Sequence, residues 1–254
     1  MKISIVTISF NQRKYLQKCI DSILGQTGCE LEYIVVDPGS TDGSRELIES
    51  YGEKIIQVFR ADNGPADGLV NGFDRASGEV FGFINSDDYL LPGALKHISE
   101  YFNKKGCSGF VTGQGYTEYS NGHKSRVYPQ RLTIENMLHR AAVIFQQSTF
   151  FPSVLYRQVG GFNTKNKTCW DYEFFLKLLR CGVPHTIIDS DIATFRLHEN
   201  SISGSGRLHQ SYLIELDRLF FECLGRERNF MDKLVTQYLR IKREALLAIS
   251  KDRR

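Results

Sequence analysis

The chain has 254 residues, 41% apolar and 24% charged, long enough for a proper core and too ordinary in composition for disorder or low complexity. No apolar run approaches the roughly 20 residues of a membrane span, and the strand-like opening Met1-Lys2-Ile3-Ser4-Ile5 is too short for a signal peptide. The net charge of +3 is uneven: residues 226–254 carry nine Lys/Arg against four Asp/Glu, a local +5, so the other 225 residues sum to −2 and make no nucleic-acid binder.

Residues 3–9 read as an apolar strand ending in Ser9-Phe10-Asn11-Gln12. Helix 12–26 follows, with Tyr15, Leu16, Cys19, Ile20 and Ile23 at helical spacing. Strand 31–36 ends in Asp37-Pro38-Gly39-Ser40-Thr41-Asp42-Gly43, turn chemistry that can cap helix 43–51. Strand 55–59 leads through Asp62-Asn63-Gly64-Pro65 into helix 66–76, and strand 80–84 runs into Asn85-Ser86-Asp87-Asp88 ahead of helix 92–103. This βαβαβαβ pattern predicts an α/β fold with a mostly parallel sheet. Right-handed crossovers bring the four polar loops to one sheet edge, where open α/β sheets bind ligands.

The second half predicts strand 109–113, a hairpin over 116–128, helix 133–140, strand 144–151 and helices 153–158 and 170–182. Strands 184–188 and 192–197 follow, then a helical stretch over 207–254 that contains no proline. Gly204-Ser205-Gly206 reads as a hinge that would let the preceding loop close. Six cysteines without paired spacing suggest neither a zinc site nor a disulfide framework, so a reducing, cytosolic compartment is the default.

Adjacent carboxylates at a strand end repel one another, and a hard divalent cation that also takes phosphate oxygens would compensate them. A solvated turn or a helix cap would account for the same two residues. The stretches Val6-Thr7-Ile8-Ser9-Phe10-Asn11, Val35-Val36-Asp37-Pro38-Gly39-Ser40-Thr41-Asp42-Gly43, Asn63-Gly64 with Asp67 and Asn71-Gly72, and Asn85-Ser86-Asp87-Asp88 occur in that order. With Gly160-Gly161-Phe162 and Asp171-Tyr172-Glu173, they resemble the inverting family 2 glycosyltransferases of GT-A fold over roughly residues 1–200. Pro38 departs from the acidic or small residue of many members.

The resemblance implies transfer of a sugar from a nucleotide diphosphate sugar, a UDP-sugar first, to a saccharide or lipid-linked saccharide hydroxyl, in polysaccharide or lipid-linked saccharide synthesis. Asp37 can accept a base N–H, Thr7 can bond the same ring and Asp67 can contact base or donor; the resemblance implies Asp87 at the ribose, and Asp88 with His198 at Mn2+ or Mg2+. Arg196 would contact phosphate and Asp171 would be the general base, with Glu173 as fallback. Gln146, Gln147, Ser148 and Thr149 would line the acceptor cavity. Asp67 and Asp171 can also be read as helix-cap residues, and His198 as a half-buried surface residue. The organisation expected is a transferase domain over 1–206, with a nucleotide-sugar half (1–110) and an acceptor half (111–206), then a basic helical tail over 207–254. Apolar Met231, Leu234, Tyr238, Ile241, Ala245 and Ile249 recur along that tail with basic residues around them. The pattern suits a helix packed on its own domain, a peripheral membrane contact or a homodimer. A catalytically silent sugar- or nucleotide-binding protein on the same fold is the other reading. An NAD-dependent epimerase would need G-x-G-x-x-G after the first strand, where Ser9-Phe10-Asn11-Gln12 stands.

Overall fold

Side-chain alternation explains how the first strands are covered. Ile3 and Ile5 of β1 (Lys2–Ile8) face one side of the sheet and Val6 the other. In β2 (Glu30–Val36), Tyr33 and Val35 join the first side, Ile34 and Val36 the second. Strands apolar on both faces need helices on both. α1 (Arg13–Leu24) covers the first face with Leu16, Cys19, Ile20 and Ile23, beside Leu95, Ile98 and Phe102 of α4 (Ala94–Lys105). α3 (Pro65–Phe73) covers the second with Leu69 and Phe73. Its approach is so close that a Cβ on Gly72 would lie 2.4 Å from Val6 Cγ1. With α2 (Ser44–Ser50), β3 (Ile56–Val58) and β4 (Val80–Asn85), the strands lie in the order β3-β2-β1-β4, all parallel. Their carboxyl ends therefore share one edge.

The computed structural model describes residues 1–199 and 208–251; the hinge read at Gly204-Ser205-Gly206 lies outside them. The sheet continues beyond β4 through β8 (Thr149–Pro152), β6 (Phe110–Tyr119), β9 (His185–Leu197) and β5 (Tyr89–Leu90), with β7 (Lys124–Val127) paired to β6. This half is mixed: β8 is antiparallel to β4 and β6, and β9 is parallel to β6.

Several elements differ from expectation. Only the end of the 144–151 stretch is strand, because Gln146–Ser148 make a 3-10 turn. Their buried polar side chains take carbonyls there, Gln146 that of Phe83 at 2.6 Å and Ser148 that of Gly113 at 2.7 Å. The two strands expected over 184–197 are one, since Asp189 and Asp191 accept from Gln114 and Arg126 rather than breaking the chain. The tail is not one helix. Gly225, in a left-handed conformation at φ 67°, ends α8 (His209–Leu224), and α9 (Phe230–Lys251) begins five residues later. The shorter helices are α5 (Ile134–Leu138), α6 (Ser153–Gln158) and α7 (Trp170–Arg180).

Two packing features position the candidate site. Phe83 of β4 and Phe162 both pack on Trp170, at ring separations of 5.4 and 5.3 Å, which fixes the start of α7 against the central strand. α8 buries Leu216, Leu219 and Phe220 in the same core. Among the described residues no helix is long and apolar enough to cross a membrane.

Candidate active site

Loops after β1 and β2 are sewn together at the sheet edge. Asn11, at φ 53°, donates its N–H to Ser40 Oγ (2.8 Å) and accepts from the Thr41 N–H (2.9 Å). Asp37 is fully buried where β2 ends; its Oδ1 accepts from the N–H groups of Gly39 and Ser40, both at 2.8 Å. Its Oδ2, and Oγ of Ser9 at the end of β1, are sealed from solvent with no partner among the described residues. A buried acceptor left this way carries a desolvation cost that a ligand N–H would offset. The sequence puts Ser9 at the end of strand 3–9 and in the first matched stretch but assigns it no role; its place one residue beyond β1, level with Asp37, is the signal for one.

The Thr7 hydroxyl faces the core, where it meets Tyr33 Oη (3.0 Å) and Cys19 Sγ (3.8 Å), because odd-numbered β1 residues face α1. Asp67 Oδ2 accepts from the Asn63 N–H and side-chain amide (2.9 and 3.1 Å), closing the turn before α3. Asp62, unremarked in the sequence, accepts from the Gly64 N–H at 2.9 Å. Burial raises its carboxyl against that bond, and the charges of Asp67 and Asp37 add to the rise.

The paired carboxylates have different surroundings. Asp88 is fully buried, with Oδ1 accepting from the Arg196 N–H (2.8 Å) and Oδ2 from the Gln147 amide (2.9 Å). Burial, then the neighbouring Asp87 charge, pushes its carboxyl well above the usual range, against those two donors. Asp87 is the one that meets His198, its Oδ2 lying 3.1 Å from Nε2, with side-chain exposures of 14% and 9%. The His198 ring stacks on Tyr15 at 4.7 Å, and the Arg196 guanidinium lies 5.4 Å from Tyr15 and 4.8 Å from the Tyr89 ring. Tyr15 was read only for its helical spacing. Among the described residues no three His, Cys, Asp or Glu side chains converge to hold a metal by themselves.

A cavity of about 570 Å³ is lined by Asp171, Thr168, Tyr212, Ile144, Arg140 and Arg240 among others. The segment from Arg140 to Gln147 links it to Asp88. Asp171, at the start of α7, has its carboxyl pushed up to about 6 by burial, against the N–H of Tyr172 at 2.8 Å. Glu173 is no alternative base. Burial would raise its carboxyl, but Asn166, Asn163 and Arg218 bond to it and hold it below the usual range. Gln146, Gln147, Ser148 and Thr149 do not line this cavity; all four are buried, with side chains bonded to Phe83, Asp88, Gly113 and Phe145.

The model for Glycosyl transferase family 2 matches residues 4–167. The chain belongs to that family. Among relatives, Bacillus subtilis TuaG, a glycosyltransferase whose name assigns it to teichuronic acid biosynthesis, is 27% identical over 210 residues, 80% of this family 2 chain and 82% of TuaG. Against three uncharacterized glycosyltransferases of Nostoc and Rickettsia the chain spans 36%, 58% and 58% of their length. The GT-A fold is shared with Staphylococcus aureus TarS 1-349, solved in complex with UDP-GlcNAc: TM-score 0.71, 19% identity, 94% of this chain and 70% of that one. A Pyrobaculum calidifontis mannosyltransferase, solved with GDP-Man and Mn2+, superposes with TM-score 0.66 at 14% identity, covering 98% of this chain and 75% of its own.

Proposed function

We propose that this family 2 protein transfers a sugar from a nucleotide diphosphate sugar to an acceptor hydroxyl with inversion. It would do so in the cytosol, in the synthesis of a polysaccharide or lipid-linked saccharide. The observation that carries the reading is the presence of two unlike carboxylates. Asp37 offers a buried, unfilled acceptor oxygen at the sheet edge, and Asp171 offers a raised carboxyl in a cavity. A nucleoside N–H suits the first and an acceptor hydroxyl suits the second. TuaG's assignment to teichuronic acid biosynthesis supports the polysaccharide part of the reading, and the UDP-GlcNAc bound to TarS supports a UDP-sugar. Residues 1–206 would form the transferase unit, divided near 110 into donor and acceptor halves, with 207–254 as an appendage rooted in its core through α8.

In this reading the Asp171 carboxylate takes the proton of the acceptor hydroxyl as that oxygen bonds to the anomeric carbon. The bond to the diphosphate oxygen breaks on the opposite face, and the diphosphate leaves with the electron pair. The Arg196 guanidinium, set between Tyr15 and Tyr89, would meet the departing phosphates. Asp87 and His198 offer one oxygen and one nitrogen, a partial donor set that fits Mn2+ or Mg2+ if phosphate and water complete it. Such a cation, when bound, supplies charge neutralisation on the diphosphate. Asp88 acts through the backbone, holding the strand that carries Arg196 and His198 against the end of β4.

A thermal-shift series with UDP, GDP, dTDP, CDP and ADP, each with and without Mn2+, tests the reading. UDP with Mn2+ should stabilise the protein by about 2.7 kcal/mol at a concentration one hundred times Kd, and Asp37→Ala should abolish the shift. No response to any diphosphate would leave the silent-protein reading standing.

A further inference from the structure

The tail helix shows two faces with different partners. Phe230, Met231, Leu234, Tyr238 and Ile241 of α9 recur along one side, and all are 44–69% exposed. Packing on the chain's own domain, the ordinary fate of such a stripe, is therefore not what this helix does with it. The side turned inward carries Asp232, Val235, Leu239 and Arg243, each buried or half-buried. Arginines fix that side: Arg240 donates to the carbonyl of Arg140 (3.1 Å) and Arg243 to that of Ala141 (3.0 Å). Arg228, just before α9, takes the carbonyl of Leu138 at 2.6 Å. These carbonyls end α5 and begin the segment that lines the Asp171 cavity, to which Arg240 itself contributes. The helix is thus built into the cavity wall while its apolar side looks out.

We propose that α9 lies on an anionic lipid surface by this outer face and presents the adjoining cavity to an acceptor carried at that surface; the acceptor part rests on the transferase reading above. Charge decides between lipid and a second copy of the chain. Asp232 is bound to Arg226 at 2.7 Å and Glu244 to Arg243 at 2.7 Å, so both acids of the helix are neutralised locally. Lys233, Arg240 and Lys242 then set the potential beside the stripe. The 226–254 segment sums to +5, so two copies meeting face to face would repel, whereas anionic headgroups attract it. At 22 residues the helix is long enough to reach across a bilayer, yet it is not apolar enough to cross one. An in-plane position is the one its sidedness fits.

The test is flotation of the 254-residue chain with vesicles of phosphatidylcholine alone or mixed with phosphatidylglycerol, with light scattering of the same samples. Binding should appear only with the anionic lipid and weaken with salt. It should fall at least about tenfold in Leu234→Glu/Ile241→Glu, and fall likewise in Lys233→Glu/Lys242→Glu. Absence of binding at low salt, equal binding to the neutral vesicles, or full binding by the first variant would each overturn the proposal. So would a concentration-dependent dimer that Ile241→Glu dissolves, which would make a second copy the occupant. UDP stabilisation, measured on the same variants, is expected to be unchanged. Failed docking with intact UDP binding would sink this inference alone, and lost UDP binding with intact docking would sink only the transferase reading.

Discussion

Burial holds the Asp171 carboxyl at about 6, so a base at this position works only above that pH. The kcat/KM profile should rise through about pH 6 and level off, and Asp171→Asn should lower turnover by roughly 10²–10⁴-fold. The same shift has a stability consequence of definite sign. A carboxyl raised in the folded state favours folding while protonated, and that advantage is lost as pH rises through about 6. Asp171→Asn should therefore be more stable than the parent at pH 7.5, by at most about 3 kcal/mol. The difference should vanish below pH 4. Denaturant melts at both pH values check this, and a destabilised variant at pH 7.5 would show that burial is not what raises the group.

At the level of elements, α7 and α8 are joined by an ion pair between a buried carboxylate and a half-buried arginine. Glu173 is 3% exposed and receives Arg218 at 2.6 Å, alongside Asn163 and Asn166. Removing one partner leaves the other charge buried, which in comparable cases costs about 3–5 kcal/mol. Arg218→Ala should fall somewhat below that range, at about 2–3 kcal/mol in denaturant unfolding, because Lys177 at 3.4 Å and the two asparagines remain on Glu173. Glu173→Gln in the same background should recover part of the loss. Because the Glu173 carboxyl is lowered in the folded state, its contribution is present above the unfolded value and fades as pH drops through the folded one. The Arg218→Ala deficit should shrink on acidification below pH 4; a constant deficit would mean the arginine acts by packing alone.

Elements with regular periodicity were legible in the sequence. α1 shows Leu16, Cys19, Ile20 and Ile23 inward as its spacing requires, and β1, β2 and β4 lie side by side, as alternating strands and helices predict. Reading failed where polar side chains replace solvent with a neighbour. Asp189 and Asp191 looked like a loop because their partners, Gln114 and Arg126, are 75 and 65 residues away. Gln146 and Gln147 looked like cavity lining because nothing local shows them reaching Phe83 and Asp88. The tail's stripe was visible, but which side of it faces water depends on the arginines opposite, and their carbonyl partners lie about 90–100 residues upstream.

Across the whole molecule, Asp88 joins the parallel half of the sheet to the mixed half, since it sits beyond β4 and its donors come from β9 and the turn before β8. Replacing Asp87 and replacing Asp88 should therefore look different. Asp87→Ala removes a side chain at the cleft; turnover should collapse while the unfolding midpoint moves little. Asp88→Ala leaves the Arg196 N–H and the Gln147 amide buried without an acceptor, at about 1–3 kcal/mol each. That variant should lose stability as well as UDP binding, so lost activity in it says nothing about chemistry. Asp88→Asn separates the two effects. The new amide oxygen can still accept from the Arg196 N–H, and a flipped Gln147 amide can accept from its nitrogen, so most of the stability should return. Melting temperatures in the order parent, Asp88→Asn, Asp88→Ala, with Asp87→Ala near the parent, would establish Asp88 as a positioning residue. A fully stable Asp88→Ala that fails only in turnover would restore it to the cleft.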